Sequence, residues 1–161
     1  VKAAYAHQGP VYLRFGRLAV PVFHEEGFTF QIGKGEVMRD GNDIAIIANG
    51  LMVYEAVQAG ERLAEMGINA RIINMSTIKP LDEELVLKAA KECGKIITCE
   101  EHSVIGGLGE AVCSLLSEKL PGLDCVSIGP QMQDIHTSRE RLEIASTERT
   151  WKFLLEVLKA L

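Results

Sequence analysis

No apolar stretch in these 161 residues approaches the roughly 20 that a membrane-spanning helix needs, which excludes a helical transmembrane segment. Positive charge is also short: 17 Lys and Arg stand against 22 Asp and Glu, leaving a net charge of −5 and an isoelectric point near 5.4. A phosphate-backbone binder carries a basic face, so nucleic acid is not the expected partner. No Cys-x-x-Cys pair occurs among Cys93, Cys99, Cys113 and Cys125, so zinc and thioredoxin-like chemistry lack their spacing. Each cysteine sits in or beside an apolar run and reads as a small buried thiol in a reducing compartment. His7, His24 and His136 are scattered, giving a metal site no spacing to rest on. No secretory signal is visible, and a cytoplasmic location is the expectation. The chain opens on Val1 rather than methionine, and is expected to be a piece of a longer protein.

What is present is a repeating alternation of apolar runs and amphipathic stretches. Val1 to His7 reads as the last turns of a helix, stopped by Gly9-Pro10. Val11-Tyr12-Leu13-Arg14-Phe15 reads as a short strand, and the irregular stretch 18–34, with Pro21, Gly27 and Gly33, as an interdomain linker. Gly35 to Arg39 is a strand turned by Asp40-Gly41, a dipeptide that favours a tight hairpin because glycine accepts positive φ. Asp43 to Ala48 is a continuous apolar run, the mark of a strand buried on both faces.

Helix, strand, helix, strand and helix follow. Leu51 to Met66 is a helix ended by Gly67. Strand 70–75, a helix from Lys79-Pro80-Leu81-Asp82 to Cys93 closed by Gly94, strand 95–100 and a helix from Gly107 to about Leu120 come next. Leu123 to Ile128 is the expected last strand. An amphipathic helix over 147–161 carries Trp151, Leu154, Leu155 and Leu158 on one side. This order predicts a three-layer α/β/α fold with a five-stranded, mostly parallel sheet. The first strand, joined to the second by a tight turn, is expected antiparallel at an edge.

Ligands of such sheets bind outside the carboxyl ends of the strands. Three strand ends carry polar residues: Asn49-Gly50, Ser76-Thr77 and Glu100-Glu101-His102-Ser103. Gly106, Gly107 and Gly109 precede a helix N-terminus, where free amides hold an anion; the alternative is close strand–helix packing by small residues. Their spacing is not the Gly-x-Gly-x-x-Gly dinucleotide fingerprint. His102 follows two glutamates and is a candidate general base or a polar loop or interface histidine; no nucleophile motif accompanies it. Arg17, just past the expected strand end, suits bidentate capture of phosphate oxygens, with a surface ion pair as the alternative for it and Arg14.

Several segments resemble transketolase in the right order. Gly9 to Arg17 and Ile32 to Val37 resemble the end of its pyrimidine-binding domain and the exit into its C-terminal domain. Ile46 to Ala56 and Ile73 to Asp82 are similar to the first two strand–helix junctions of that domain. Glu100-Glu101-His102-Ser103-Val104-Ile105-Gly106-Gly107-Leu108-Gly109 is the most telling segment. Together they look most like the C-terminal subunit of split transketolases, over about residues 1–128. The family usually continues with a glycine-rich Asp-x-Phe-Gly-x-Ser-Gly stretch, where Gly129 to Ser138 stands instead.

The resemblance implies three parts: 1–17 as the tail of the pyrimidine-binding domain, 18–34 as linker and 35–161 as the transketolase C-terminal domain. It implies a thiamine-diphosphate enzyme, with Mg or Ca, that moves a two-carbon ketol unit between sugar phosphates; the thiazolium carbon does the chemistry. No Gly-Asp-Gly diphosphate motif is present and the activating glutamate lies upstream, so this chain alone is expected to be inactive and to bind no cofactor. Arg17 is the one family role that transfers, gripping the substrate phosphate. His102, Gly106 and Gly107 stand as a ligand or interface loop, with no catalytic or metal-binding residue. The partners implied are N-terminal transketolase domains, or a separate subunit that holds them, and a second copy in a homodimer. The same fold also serves deoxyxylulose-phosphate synthase and the β subunit of 2-oxo-acid dehydrogenases. A regulatory ligand-binding α/β module is the alternative of another kind.

Overall fold

The apolar run after Asp43 forms a strand with no polar face, and the sheet is built around it. The computed structural model describes residues 1–103, 105–134 and 138–160, with side chains to residue 157. A short helix α1 (Lys2–Ala6) comes first. Then follow β1 (Glu36–Arg39), β2 (Ile44–Ala48), α2 (Met52–Glu65), β3 (Ala70–Asn74), α3 (Glu83–Cys93), β4 (Ile96–Cys99) and α4 (Leu108–Lys119). The sheet order is β1-β3-β2-β4, with β2 parallel to β3 and β4 and β1 antiparallel to β3.

Successive side chains of a strand point to opposite faces, and the core divides accordingly. Ile46 and Ala48 of β2 join Ala70 and Ile72 of β3 under Val53 and Ala56 of α2. Ala45 and Ile47 join Ile73 and Met75 under Val86 and Ala89 of α3 and Leu108, Val112 and Leu116 of α4. The result is three layers, α2 on one face and α3 with α4 on the other.

The helix ends follow their sequence signals. Gly67 takes φ +81° after α2, its amide bonds to Ala64 O at 3.0 Å and that of Ile68 to Leu63 O at 2.9 Å, the paired closure of a Schellman motif. Asp82 caps α3 by accepting from Leu85 N at 3.2 Å, and Gly94 ends it at φ +69°.

Four expectations change. Among the described residues the sheet has four strands, not five: Leu123 to Ile128 is irregular, and Val126 is exposed. Asp124 and Ser127 interrupt that short run, and Gly122 and Gly129-Pro130 bound it closely. Val11 to Phe15 is likewise exposed and unpaired among the described residues, since an apolar run makes no strand without a neighbour to pair with. β1 does lie antiparallel at an edge, but β3, not β2, is its partner, so Asp40-Gly41 does not turn a hairpin. Gly41 is not among the glycines of positive φ. It is needed for close approach, because a Cβ there would strike the Asn69 carbonyl oxygen and come within 2.6 Å of the Ala70 carbonyl carbon. Finally, only Cys93 is buried; Cys99 and Cys113 are half-buried, and Cys125 is exposed. Burial pushes the Cys93 and Cys99 thiols up, which keeps both protonated and inert.

The chain divides into two compact units, Val1–Leu123 and a second from Asp124 onward. In the second, β5 (Met132–Gln133) pairs antiparallel with β6 (Arg141–Leu142), and helix α5 (Ile144–Ala160) starts earlier than expected. The reason is Ser146: its hydroxyl donates to Glu143 O at 2.6 Å and accepts from Gln131 N at 2.8 Å, fixing the helix start on the hairpin. Trp151 is exposed and Leu154 and Leu155 are half-buried; His136 and the Leu158 side chain lie outside the described residues.

At the amino ends of the strands, buried Arg71 donates through Nε to Asp40 Oδ1 at 2.9 Å and through Nη1 to Glu92 Oε2 at 2.6 Å. The Gly41 amide and then Arg71 hold the Asp40 carboxyl below its usual range. A carboxylate depressed in the fold stabilises above its unfolded pKa, about 3.9, and loses that contribution as pH falls through the lowered value. The stability gap between wild type and Asp40→Asn, from urea unfolding, is therefore expected to narrow on acidification below about pH 4. A gap that stays constant with pH contradicts this role.

Candidate functional site

Because α2 leaves β2 for one face and α4 leaves β4 for the other, the carboxyl ends of these neighbouring strands form a topological switch point, the usual ligand crevice of such sheets. At the neighbouring end of β3, side-chain polar groups pair with one another. Asn74, at the end of β3, stands opposite Glu36 of β1 and accepts from Ser76 Oγ at 3.0 Å. His24 Nε2 lies 2.6 Å from Glu36 Oε2, and its ring stacks on Phe28 with centroids 3.7 Å apart. Phe23 packs on the α2 face of the core, its ring 6.4 Å from that of Tyr54. Thr77 Oγ1 is covered and has no hydrogen-bond partner among the described residues.

The glycine-rich start of α4 is filled in the same way. Glu100, one residue past β4, turns its carboxylate into the helix N-terminus and accepts from Leu108 N at 2.7 Å and Gly109 N at 2.8 Å. A negative charge at this end of the helix dipole is stabilising. Gly107 admits it, since a Cβ there would lie 2.5 Å from both carboxylate oxygens. Gly106 takes φ +75°, and its amide donates to the Glu110 carboxylate. The two amides best placed for an external anion are thus occupied by the chain's own glutamate.

Glu100 therefore faces the helix, not His102. His102 is exposed and makes no hydrogen bond or ion pair among the described residues. Arg14 Nη2 donates to Glu101 O at 2.9 Å, which brings the segment ending at Arg17 beside the loop that carries His102. Arg17 itself is exposed, with no hydrogen bond or ion pair among the described residues. Reading the sequence alone named Glu100 and Asp82 without assigning them their capping roles, and missed the His24–Glu36 pair. An acid at a strand end, upstream of Gly106-Gly107-Leu108-Gly109, was a usable signal for the first, and nothing local marks the last.

Among the described residues no three His, Cys, Asp or Glu side chains converge to hold a metal ion. With the α4 amides occupied by Glu100, the residues present do not form a cradle for a diphosphate and its metal. What the first unit presents is a doubly wound α/β domain whose crevice its own side chains fill. Residues 33–146 match the transketolase C-terminal domain family, and the chain belongs to it. It is 52% identical over 119 residues to an apulose-4-phosphate transketolase subunit of Phocaeicola vulgatus, covering 73% of this chain and 38% of that protein. It is 44% identical over 122 residues to 1-deoxy-D-xylulose-5-phosphate synthase 1 of Geobacter sulfurreducens, covering 74% of this chain and 19% of that protein. A solved split-gene transketolase, an inactive β4 tetramer, superposes with a TM-score of 0.72 at 44% identity, over 74% of this chain and 40% of that one. The chain thus spans less than half the length of each of these relatives.

Glu100 and Gly107 should behave as one unit. Glu100→Ala is expected to cost about 1–3 kcal/mol through two lost charge-assisted bonds. Gly107→Ala displaces the carboxylate and should also destabilise. The double variant is expected to cost no more than Glu100→Ala alone, because the clash disappears with the carboxylate. Additive losses in urea unfolding contradict the assignment.

Proposed function

We propose that this chain is the C-terminal part of a thiamine-diphosphate-dependent transketolase that transfers a two-carbon ketol unit between sugar phosphates. In that reading the cofactor and its divalent metal, Mg or Ca, are held by N-terminal transketolase domains, in the same chain or in a separate one. This chain supplies scaffold, contacts between two copies in a homodimer, and Arg17 for the substrate phosphate; His102, Gly106 and Gly107 stand at the adjoining loop or interface. The first 17 residues belong with the pyrimidine-binding domain.

The observation that carries the reading is the surface ahead of the family match. Tyr5, Tyr12, Phe15, Leu18 and Val22 are 92%, 87%, 73%, 68% and 90% exposed. Large apolar side chains exposed in such number along one stretch support a place where other protein packs. Arg17 sits within that stretch with no partner among the described residues, which supports an external anion over a surface ion pair. The identity to a deoxyxylulose-phosphate synthase supports a second reading, with the same scaffold role and 1-deoxy-D-xylulose 5-phosphate as product. Product analysis of the assembled enzyme separates the two.

Arg17 is tested in the assembled enzyme. A bidentate arginine–phosphate contact is worth about 1.5–3 kcal/mol. Arg17→Ala is therefore expected to lower kcat/KM for phosphorylated substrates roughly 10- to 150-fold. Arg17→Lys, which keeps charge but not the planar fork, falls between it and wild type. An unphosphorylated donor such as hydroxypyruvate is expected to be little affected. Equal losses for both kinds of donor, with a lowered Tm, contradict the role.

A further inference from the structure

We propose that much of the segment expected to be an interdomain linker is a strap clasped to the family domain at two points, and that the joint of the chain lies upstream of it, within Phe15–Val22. The inference rests on contacts within the first unit and not on the proposed reaction.

The first clasp is Phe23 and His24. Both leave solvent exposure where every residue from Gly9 to Val22 is exposed. Phe23 packs against the α2 face of the core. The His24–Glu36 contact at 2.6 Å ties the strap to β1, and Phe28 folds back onto the His24 ring through a turn closed by Phe28 N to Glu25 O at 3.3 Å.

The second clasp is Gly33-Lys34-Gly35. A Cβ on Gly33 would lie 3.0 Å from Pro80, and one on Gly35 would lie 2.8 Å from Leu85 and 3.0 Å from Met75, so the backbone passes against the start of α3 with no room for side chains. The Gly35 amide donates to Asp82 Oδ2 at 3.1 Å, while Asp82 Oδ1 caps α3. Lys34 Nζ stands 3.6 Å from the buried Asp82 carboxylate and 3.5 Å from Glu84. One carboxylate therefore fastens both the helix and the strap.

Among the described residues nothing comparable holds Phe15–Val22. A Cβ on Gly16 would meet nothing within 4 Å, Leu18 is 68% exposed, and the last side-chain tie before the strap is Arg14 to Glu101. Segments with few buried contacts open at the least free-energy cost. Movement of whatever precedes the family domain is therefore concentrated in these residues, while the strap stays over the polar corner formed by Glu36 and Asn74.

Trypsin reads the two regions directly, because Arg17 lies in the joint and Lys34 in the second clasp. Cleavage of the folded 161-residue chain is followed by mass spectrometry, and each rate is divided by that of a synthetic peptide with the same bond. When opening is fast, cleavage tracks the open population. Normalised cutting after Arg17 is expected to be at least about tenfold faster than after Lys34. Equal normalised rates overturn the proposal.

Asp82→Asn keeps one acceptor for the cap but loses the second, with the charge that faces Lys34. It is expected to speed cutting after Lys34 about tenfold and to leave Arg17 and the α3 sites Lys88 and Lys91 unchanged. No change at Lys34, or equal acceleration at Lys88 and Lys91, overturns the clasp. His24→Ala tests the other end: chymotrypsin is expected to cut after Phe23 and Phe28 about tenfold faster, and an unchanged rate there overturns the first clasp.

Discussion

A helix N-terminus aimed at the carboxyl end of a parallel sheet leaves free amides and a positive dipole end, and these must find negative charge. Two of the three sheet-covering helices meet this demand with the chain's own acids. Asp82 serves α3 and Glu100 serves α4. The start of α2 relies on backbone turns instead, Met52 N to Asn49 O at 3.2 Å and Val53 N to Gly50 O at 3.3 Å. The same geometry in related architectures is a ready-made anion site. Here the anion is internal at two of the three positions, so the chain's own carboxylates occupy the amides that an external anion would use.

Much of this follows from the sequence alone. β2 was legible because a strand buried on both faces tolerates no polar residue, and Ile44 to Ala48 has none. Gly67 and Gly94 marked helix ends because a left-handed residue is needed where a helix stops. The pairing of β1 was not legible, because Asp40-Gly41 reads as a hairpin whether the next strand lies beside β1 or one place further on. The pairing of Val37 with Ile73, and the clash that a Gly41 Cβ would make with the Asn69–Ala70 backbone, show that β3 runs there. Leu123 to Ile128 has the composition of a strand, but pairing is a long-range property that composition does not carry.

The candidate site was legible in outline and not in its filling. Arg17, His102, Gly106 and Gly107 were all singled out by local chemistry. That Arg14 would bring the Arg17 segment to the Glu101–His102 loop depends on a contact across 87 residues, which no local pattern encodes. Glu100 looked like a neighbour of His102; its side chain turns the other way, into the room that Gly107 leaves for a carboxylate. The unit that begins at Asp124 holds the last part of the family match, and its hairpin and helix are fixed by Ser146.

The central claim is that the carboxyl end of this sheet is closed by the chain's own side chains and that cofactor chemistry belongs to other parts of the enzyme. Isothermal calorimetry of the folded chain tests it most directly, with thiamine diphosphate and Mg, a sugar phosphate and a nucleoside triphosphate titrated in turn. No binding heat is expected for any of them up to about millimolar concentration, where the free energy of association falls to roughly 4 kcal/mol. Saturable micromolar binding of thiamine diphosphate or a nucleotide, abolished by a substitution at the carboxyl end of the sheet, would contradict it.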